Sequence, residues 1–284
     1  MLLQFEAALL SVQRRLYPDN FLNDSRRRTC IDCGRNRADI EFCLLTGSPL
    51  RFCTEPMLVP VSARLERAKQ CSIPFILDCL NIHPDSPLGQ ITLDVYATVQ
   101  LFNELSVGQE AKLEPFEYQD IVQSLGYRLL LFEVSSASQR LEPVSKALLA
   151  GLTALVVSFL YRFGRRRHSH YNPLADKLKA VVLPLTQVLH AQDNLEFHQQ
   201  AFTRVPPCLP MWLLLVGAVS IWGEDLDEDF TIPAMSSVSQ AAGVQTWYEV
   251  QALIRQFPWV PILHDKPAKA LWLKTQKATR SKDT

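Results

Sequence analysis

Cysteine is the residue type with the most chemistry to offer in this 284-residue chain, and seven are present: Cys30, Cys33, Cys43, Cys53, Cys71, Cys79 and Cys208. Cys30-Ile-Asp-Cys33 is the one CxxC, and with Cys43 and Cys53 it would present four thiolates to a tetrahedral zinc. The intervals of two, nine and nine residues count against that reading. Structural zinc sites pair two short hooks, each of which presets half of the tetrahedron. Ordinary half-buried thiols fit the spacing better, and no cofactor is expected. A thioredoxin-like role needs a strand before Cys30 and a helix after it, and the flanks Arg-Arg-Arg-Thr and Gly-Arg-Asn-Arg suggest neither. An odd cysteine count in a chain long enough to build an apolar core points to reduced thiols rather than a disulfide framework.

The other reactive groups are scattered. Arg26, Arg27, Arg28, Arg35 and Arg37 flank the first cysteines, and Arg165, Arg166, Arg167, His168 and His170 form a second basic cluster. Either would suit a phosphate contact or a nuclear localisation patch, although a solvated loop is the preferred account of the second. Glu224, Asp225, Asp227, Glu228 and Asp229 crowd five carboxylates into six residues, without the alternating ligands and central glycine of a calcium loop. Acids that open a helix are explanation enough. The six histidines stand in no HExxH arrangement, and there is no GxSxG, P-loop or GxGxxG. No catalytic or cofactor-binding residue is nominated, and the chain is not expected to be an enzyme. A site assembled from distant residues would leave no such trace.

The elements that must position these groups are helical. Formal net charge is zero, which is not the surplus of Lys and Arg that a nucleic-acid glove needs, so any basic surface must be local. Hydrophobic residues make up 48%, enough to close a sizeable core. Residues 1–87 form a Cys/Arg/Pro-rich stretch whose glycines and prolines predict turns and short elements. The opening apolar run is interrupted by Glu6 and followed by basic residues, the reverse of a secretory signal's order. Residues 88–273 read as an all-α, irregular helical bundle. Ile91, Val95, Val99 and Phe102 keep the helical period, as do Ile121, Leu125, Tyr127 and Leu131. Leu141 to Phe163 is apolar nearly all round and reads as the central helix. Helices follow from Pro173, with an interruption near Pro184, over 193–202, over 210–222 and from Trp247. A Pro258 to Pro267 link then leads to a helix over 268–274. No alternating run supports a sheet after position 88. Residues 274–284 are polar and basic and predict a disordered tail.

Ala147 to Tyr161 is free of charge and ends against Arg162, but its 15 residues are short of the roughly 20 a spanning helix needs. Val205 to Trp222 loses its first third to Pro206, Pro207 and Pro210. Both are expected to be core helices, and no membrane is expected as a partner.

The order of certain segments resembles a known family. Leu209-Pro-Met-Trp-Leu-Leu-Leu-Val-Gly-Ala-Val-Ser-Ile-Trp-Gly223, then acids and Phe230, then Trp247-Tyr-Glu-Val250, Phe257-Pro-Trp259 and His264-Asp-Lys-Pro-Ala-Lys-Ala-Leu-Trp272 resemble the C-terminal part of the fungal-specific transcription factor domain. Gly126-Tyr-Arg-Leu-Leu130, the apolar helix ending Phe159-Leu160, and Tyr171-Asn-Pro-Leu-Ala175 resemble its middle. That resemblance implies an all-helical regulatory module that follows a zinc-cluster DNA-binding domain in a fungal nuclear protein. The zinc cluster of that family has six cysteines with a second CxxC, and this chain lacks the second, so an intact cluster is not carried over. The expectation is a regulatory or protein-interaction domain in the nucleus, or the cytoplasm, with protein partners or a small effector. The alternatives are a helical enzyme or small-ligand-binding protein, and a DNA-binding protein with one zinc at the N-terminal cysteines.

Overall fold

A computed structural model describes residues 24–53, 55–61, 74–106, 115–161, 171–192, 205–222 and 228–280, and among them are eleven α-helices and no strand. The all-α expectation holds. The first helix, α1, runs Asp24–Thr46 through the region where turns were expected. Its N-terminal half is too rich in Arg and Cys to show an apolar stripe. Its C-terminal half buries Ile40 and Leu44 against the rest of the molecule. Tertiary packing rather than intrinsic propensity therefore holds this helix, and residues before 87 share one core with those after it.

After a short 3-10 turn at Glu55–Leu58 come α2 (Phe75–Cys79), α3 (Pro87–Ser106), α4 (Pro115–Val134) and the single turn α5 (Ser136–Gln139). The stripe of Ile91, Val95 and Val99 is buried as its spacing requires. Next, α6 (Pro143–Val156) runs without a break into a π-helical turn, Val157–Tyr161. This is the central helix: Ala147 to Val157 are buried, and α4, α7 (Asn172–Gln192) and α8 (Cys208–Gly217) surround it. By length and composition Pro143–Tyr161 would suffice to cross a membrane, yet 78% of its most apolar window is buried inside the protein. Core packing accounts for its composition. Gly151 makes the crossing with α8 close, because a Cβ there would press into the Trp212 ring and Leu213.

A second π-helical turn, Ala218–Trp222, ends α8. The remaining helices are α9 (Glu228–Ala242), α10 (Trp247–Ile254) and α11 (Pro261–Arg280). The start of α10 carries a capping box, with the Thr246 hydroxyl on the Glu249 N–H and the Glu249 carboxylate on the Thr246 N–H.

Three boundaries differ from expectation. Pro184 does not interrupt α7, and Pro267 lies inside α11 rather than in a link. Each proline removes one backbone donor from a solvent-facing position, where water can take the freed carbonyl, while buried residues on the opposite face continue the helix. Residues 274–280, expected to be disordered, are helical: Thr275 is buried, and the Thr279 hydroxyl bonds that of Ser236 on α9. The helix expected over 193–202 lies outside the described residues.

Candidate functional site

The four candidate zinc ligands are separated by the helix that carries three of them. Cys30, Cys33 and Cys43 lie on the continuous α1, whose rise sets Cys43 about 15 Å along the axis from Cys33. A tetrahedral zinc holds its sulfurs about 4 Å apart. The four-thiolate arrangement is thus incompatible with α1 as it stands. Among the described residues no group of three His, Cys, Asp or Glu converges as metal ligands would.

What surrounds Cys43 and Cys53 is a carboxylate clasp. Asp39, on the same face of α1 as Cys43, accepts backbone N–H bonds from Arg51 (2.9 and 3.1 Å) and Phe52 (3.0 Å) and the Tyr127 hydroxyl (3.0 Å). It ties the chain after Gly47 and helix α4 to α1. Burial pushes the Cys43 thiol up to about 11, and Glu133 and Asp39 push in the same direction. The Cys53 thiol is raised by burial and then by Asp39. This is the opposite of the electropositive setting that activates a cysteine. Cys208 is likewise pushed up to about 11, by burial first and then by Cys79. At pH 8, iodoacetamide should label Cys43 and Cys208 about a hundredfold more slowly in the native chain than in urea. Peptide mapping by mass spectrometry measures both rates, and equal rates would mean these thiols are not held as described.

Arg35 and Arg37 of the first basic cluster are also occupied, whereas the side chains of Arg26, Arg27 and Arg28 lie outside the described residues. The Arg35 guanidinium lies 3.7 Å above the Phe52 ring. Arg37 donates to Glu41 (3.0 Å) and reaches the carbonyls of Leu160 and Tyr161 (3.5 Å each). The Tyr118 hydroxyl donates to the Leu160 carbonyl as well (2.9 Å). These carbonyls lie at the end of the first π-helical turn, where donors from outside the helix can serve them. Arg37 therefore acts as a cap for the central helix. The cluster at 165–170 lies outside the described residues, as do Glu224, Asp225 and Asp227; Glu228 pairs with Lys274 (2.6 Å), and Glu228 and Asp229 open α9 as acids at a helix start should.

The two π-helical turns pack on each other and on α11. Here the fold assembles a serine–histidine pair that no spacing could reveal. Ser158 Oγ, in the first π turn, is 2.8 Å from His264 Nε2 on α11, 106 positions away. Its polarity can be read from the neighbours. Nδ1 accepts the Val260 N–H (3.2 Å), so the ring proton sits on Nε2 and is donated to Ser158. Ser158 in turn donates to the Leu155 carbonyl (2.5 Å). A nucleophilic serine needs the reverse, with a bare Nε2 to take its proton and Nδ1–H held by a carboxylate. The adjacent Asp265 is directed elsewhere, accepting from Trp259 Nε1 (2.8 Å) and Gln251 Nε2 (3.1 Å). Burial alone lowers the His264 pKa to about 3, so the imidazole is neutral at pH 7. The pair is a neutral clasp that fixes α11 against the π turn.

Around this clasp the remaining aromatics lock together. Trp212 stacks on Phe257 with centroids 4.8 Å apart and donates to the Pro258 carbonyl (3.2 Å). Trp259 meets His264 edge-on at 4.8 Å, and Trp222 Nε1 reaches the Ala175 carbonyl (3.5 Å). Trp212, Trp222, Trp259 and Trp272 are all buried, so these four rings serve the core. Compared with protein-family models, with curated proteins and with solved structures, the chain matches none.

Proposed function

We propose that the chain is a regulatory or protein-interaction domain of a fungal transcription-factor-like protein, acting in the nucleus or between cytosol and nucleus through protein partners or a small effector. One observation carries the reading: the separate segments on which the family resemblance rests make direct contact with one another. Trp212, from the first, stacks on Phe257 and bonds Pro258 of another. Trp222 reaches Ala175, and His264 bonds Ser158, the residue before Phe159-Leu160. All of them belong to one core, as the segments of a single regulatory module must. The polarity of the Ser158–His264 pair argues against a serine nucleophile at that position, and the length of α1 against one zinc held by all four N-terminal thiols.

Fusing residues 1–284 to an unrelated DNA-binding module and measuring a reporter gene in yeast tests this. Transcription should change severalfold, up or down, relative to the module alone. An unchanged reporter with the fusion expressed and folded would sink the proposal.

A further inference from the structure

The outer face of α11 has a composition that the core does not require. His264, Ala268, Leu271, Trp272 and Thr275 turn inward. On the opposite side Ile262, Lys266, Lys269, Leu273 and Lys277 follow one another at intervals of four, three, four and four, which aligns them as a single ridge about 22 Å long. Ile262 is 70% exposed and Leu273 49%, among the most exposed large apolar side chains described. On the helical wheel they stand near the centre of the ridge, with the three lysines close on either side. No ion pair engages Lys266, Lys269 or Lys277 among the described residues, whereas Lys274, off the ridge, is held by Glu228. Asp265, the acid next to Lys266 in sequence, is held by Trp259 and Gln251. Gln251 ties α10 to this stretch of α11 through Asp265, and Tyr248 on α10 is 79% exposed.

We propose that this ridge docks on an anionic lipid surface, lying in its plane. Cations flanking a line of apolar side chains match both layers of a bilayer interface, with ammonium groups at the phosphates and short apolar groups below them. A phosphate rail of nucleic acid offers nothing to Ile262 and Leu273, which would be pressed against charge. A convex ridge fits a flat partner without needing a groove. The contact is peripheral, distinct from a membrane span, and does not depend on the regulatory reading.

Co-sedimentation of the full chain with phosphatidylcholine vesicles containing about 30 mol % phosphatidylserine tests it. Binding should exceed that to pure phosphatidylcholine and weaken as salt rises from about 0.1 to about 0.5 M. Lys266→Glu/Lys269→Glu/Lys277→Glu should lower partitioning about a hundredfold or more. Ile262→Ser/Leu273→Ser should lower it severalfold with the salt dependence retained. All five positions are exposed, so unchanged far-UV spectra and melting curves should accompany both variants. Absence of vesicle binding by the wild type overturns the proposal, as does a serine variant that binds like wild type. Retention of a duplex oligonucleotide, or self-association lost in the glutamate variant, would overturn it if vesicles are not bound.

Discussion

Replacing Asp94 by alanine should lower the unfolding free energy by about 3–5 kcal/mol, because it removes a buried carboxylate in direct contact with the buried Arg128 guanidinium. Asp94 on α3 is fully buried, and Arg128 on α4 is 9% exposed; the two side chains are in direct contact. A charge withdrawn from water is costly, and a partner in the same low-dielectric interior offsets the cost only while it is present. The consequence extends past one contact. Arg128 sits two residues from Gly126, where α4 approaches α1 and Tyr161 so closely that a Cβ would collide with both Ile40 and the Tyr161 hydroxyl. A shift in α4 to hydrate the guanidinium would therefore disturb α1 and the cap of the central helix. Urea unfolding, followed by far-UV circular dichroism and by tryptophan fluorescence, measures the loss. The double variant Asp94→Leu/Arg128→Met should recover most of it, since it removes both charges and leaves apolar volume in their place. A loss below about 1 kcal/mol in the single variant would mean the pair is solvated and behaves as a surface ion pair.

How much of this could be read in advance depended on where the information lies. The buried faces of α3 and α6 were legible because burial on a helix writes itself as a period: Ile91, Val95 and Val99 in one case, an unbroken apolar run in the other. The α1 helix was not legible, since Arg26 to Arg37 give it no stripe and its stability comes from Ile40, Leu44 and the Asp39 clasp. Proline misled in one direction only. Pro184 and Pro267 were read as breaks, yet each sits on the exposed side of a helix whose other face is anchored by buried residues such as Leu185 and Ala268. The Ser158–His264 clasp had no local signal at all, because its members are joined by packing across 106 positions. Cys33 and Cys43 show the converse: residues near in sequence that a continuous helix spaces out along its axis.

Below pH 6.5 the wild-type chain should lose stability with falling pH by about 1.4 kcal/mol per unit more than a His264→Gln variant. The sign follows from the two states. His264 is 2% exposed, and burial depresses its pKa from 6.5 to about 3 in the folded chain. Above pH 6.5 the imidazole is neutral whether folded or unfolded, and stability gains no slope from it. Between 6.5 and about 3 the unfolded chain takes up a proton that the native chain does not, so acid favours unfolding across that window. Near pH 3 the native imidazole is protonated too, and the contribution levels off. Carboxylates titrate in both proteins alike, so the difference between the two pH profiles isolates the histidine. Glutamine can still donate to Ser158, which separates the proton effect from loss of the hydrogen bond. Parallel profiles from pH 6 to pH 4.5 would show that His264 is hydrated or already charged in the native chain. A neutral ring throughout that range is also what leaves Nδ1 able to accept the Val260 N–H, the contact from which the polarity of the pair follows.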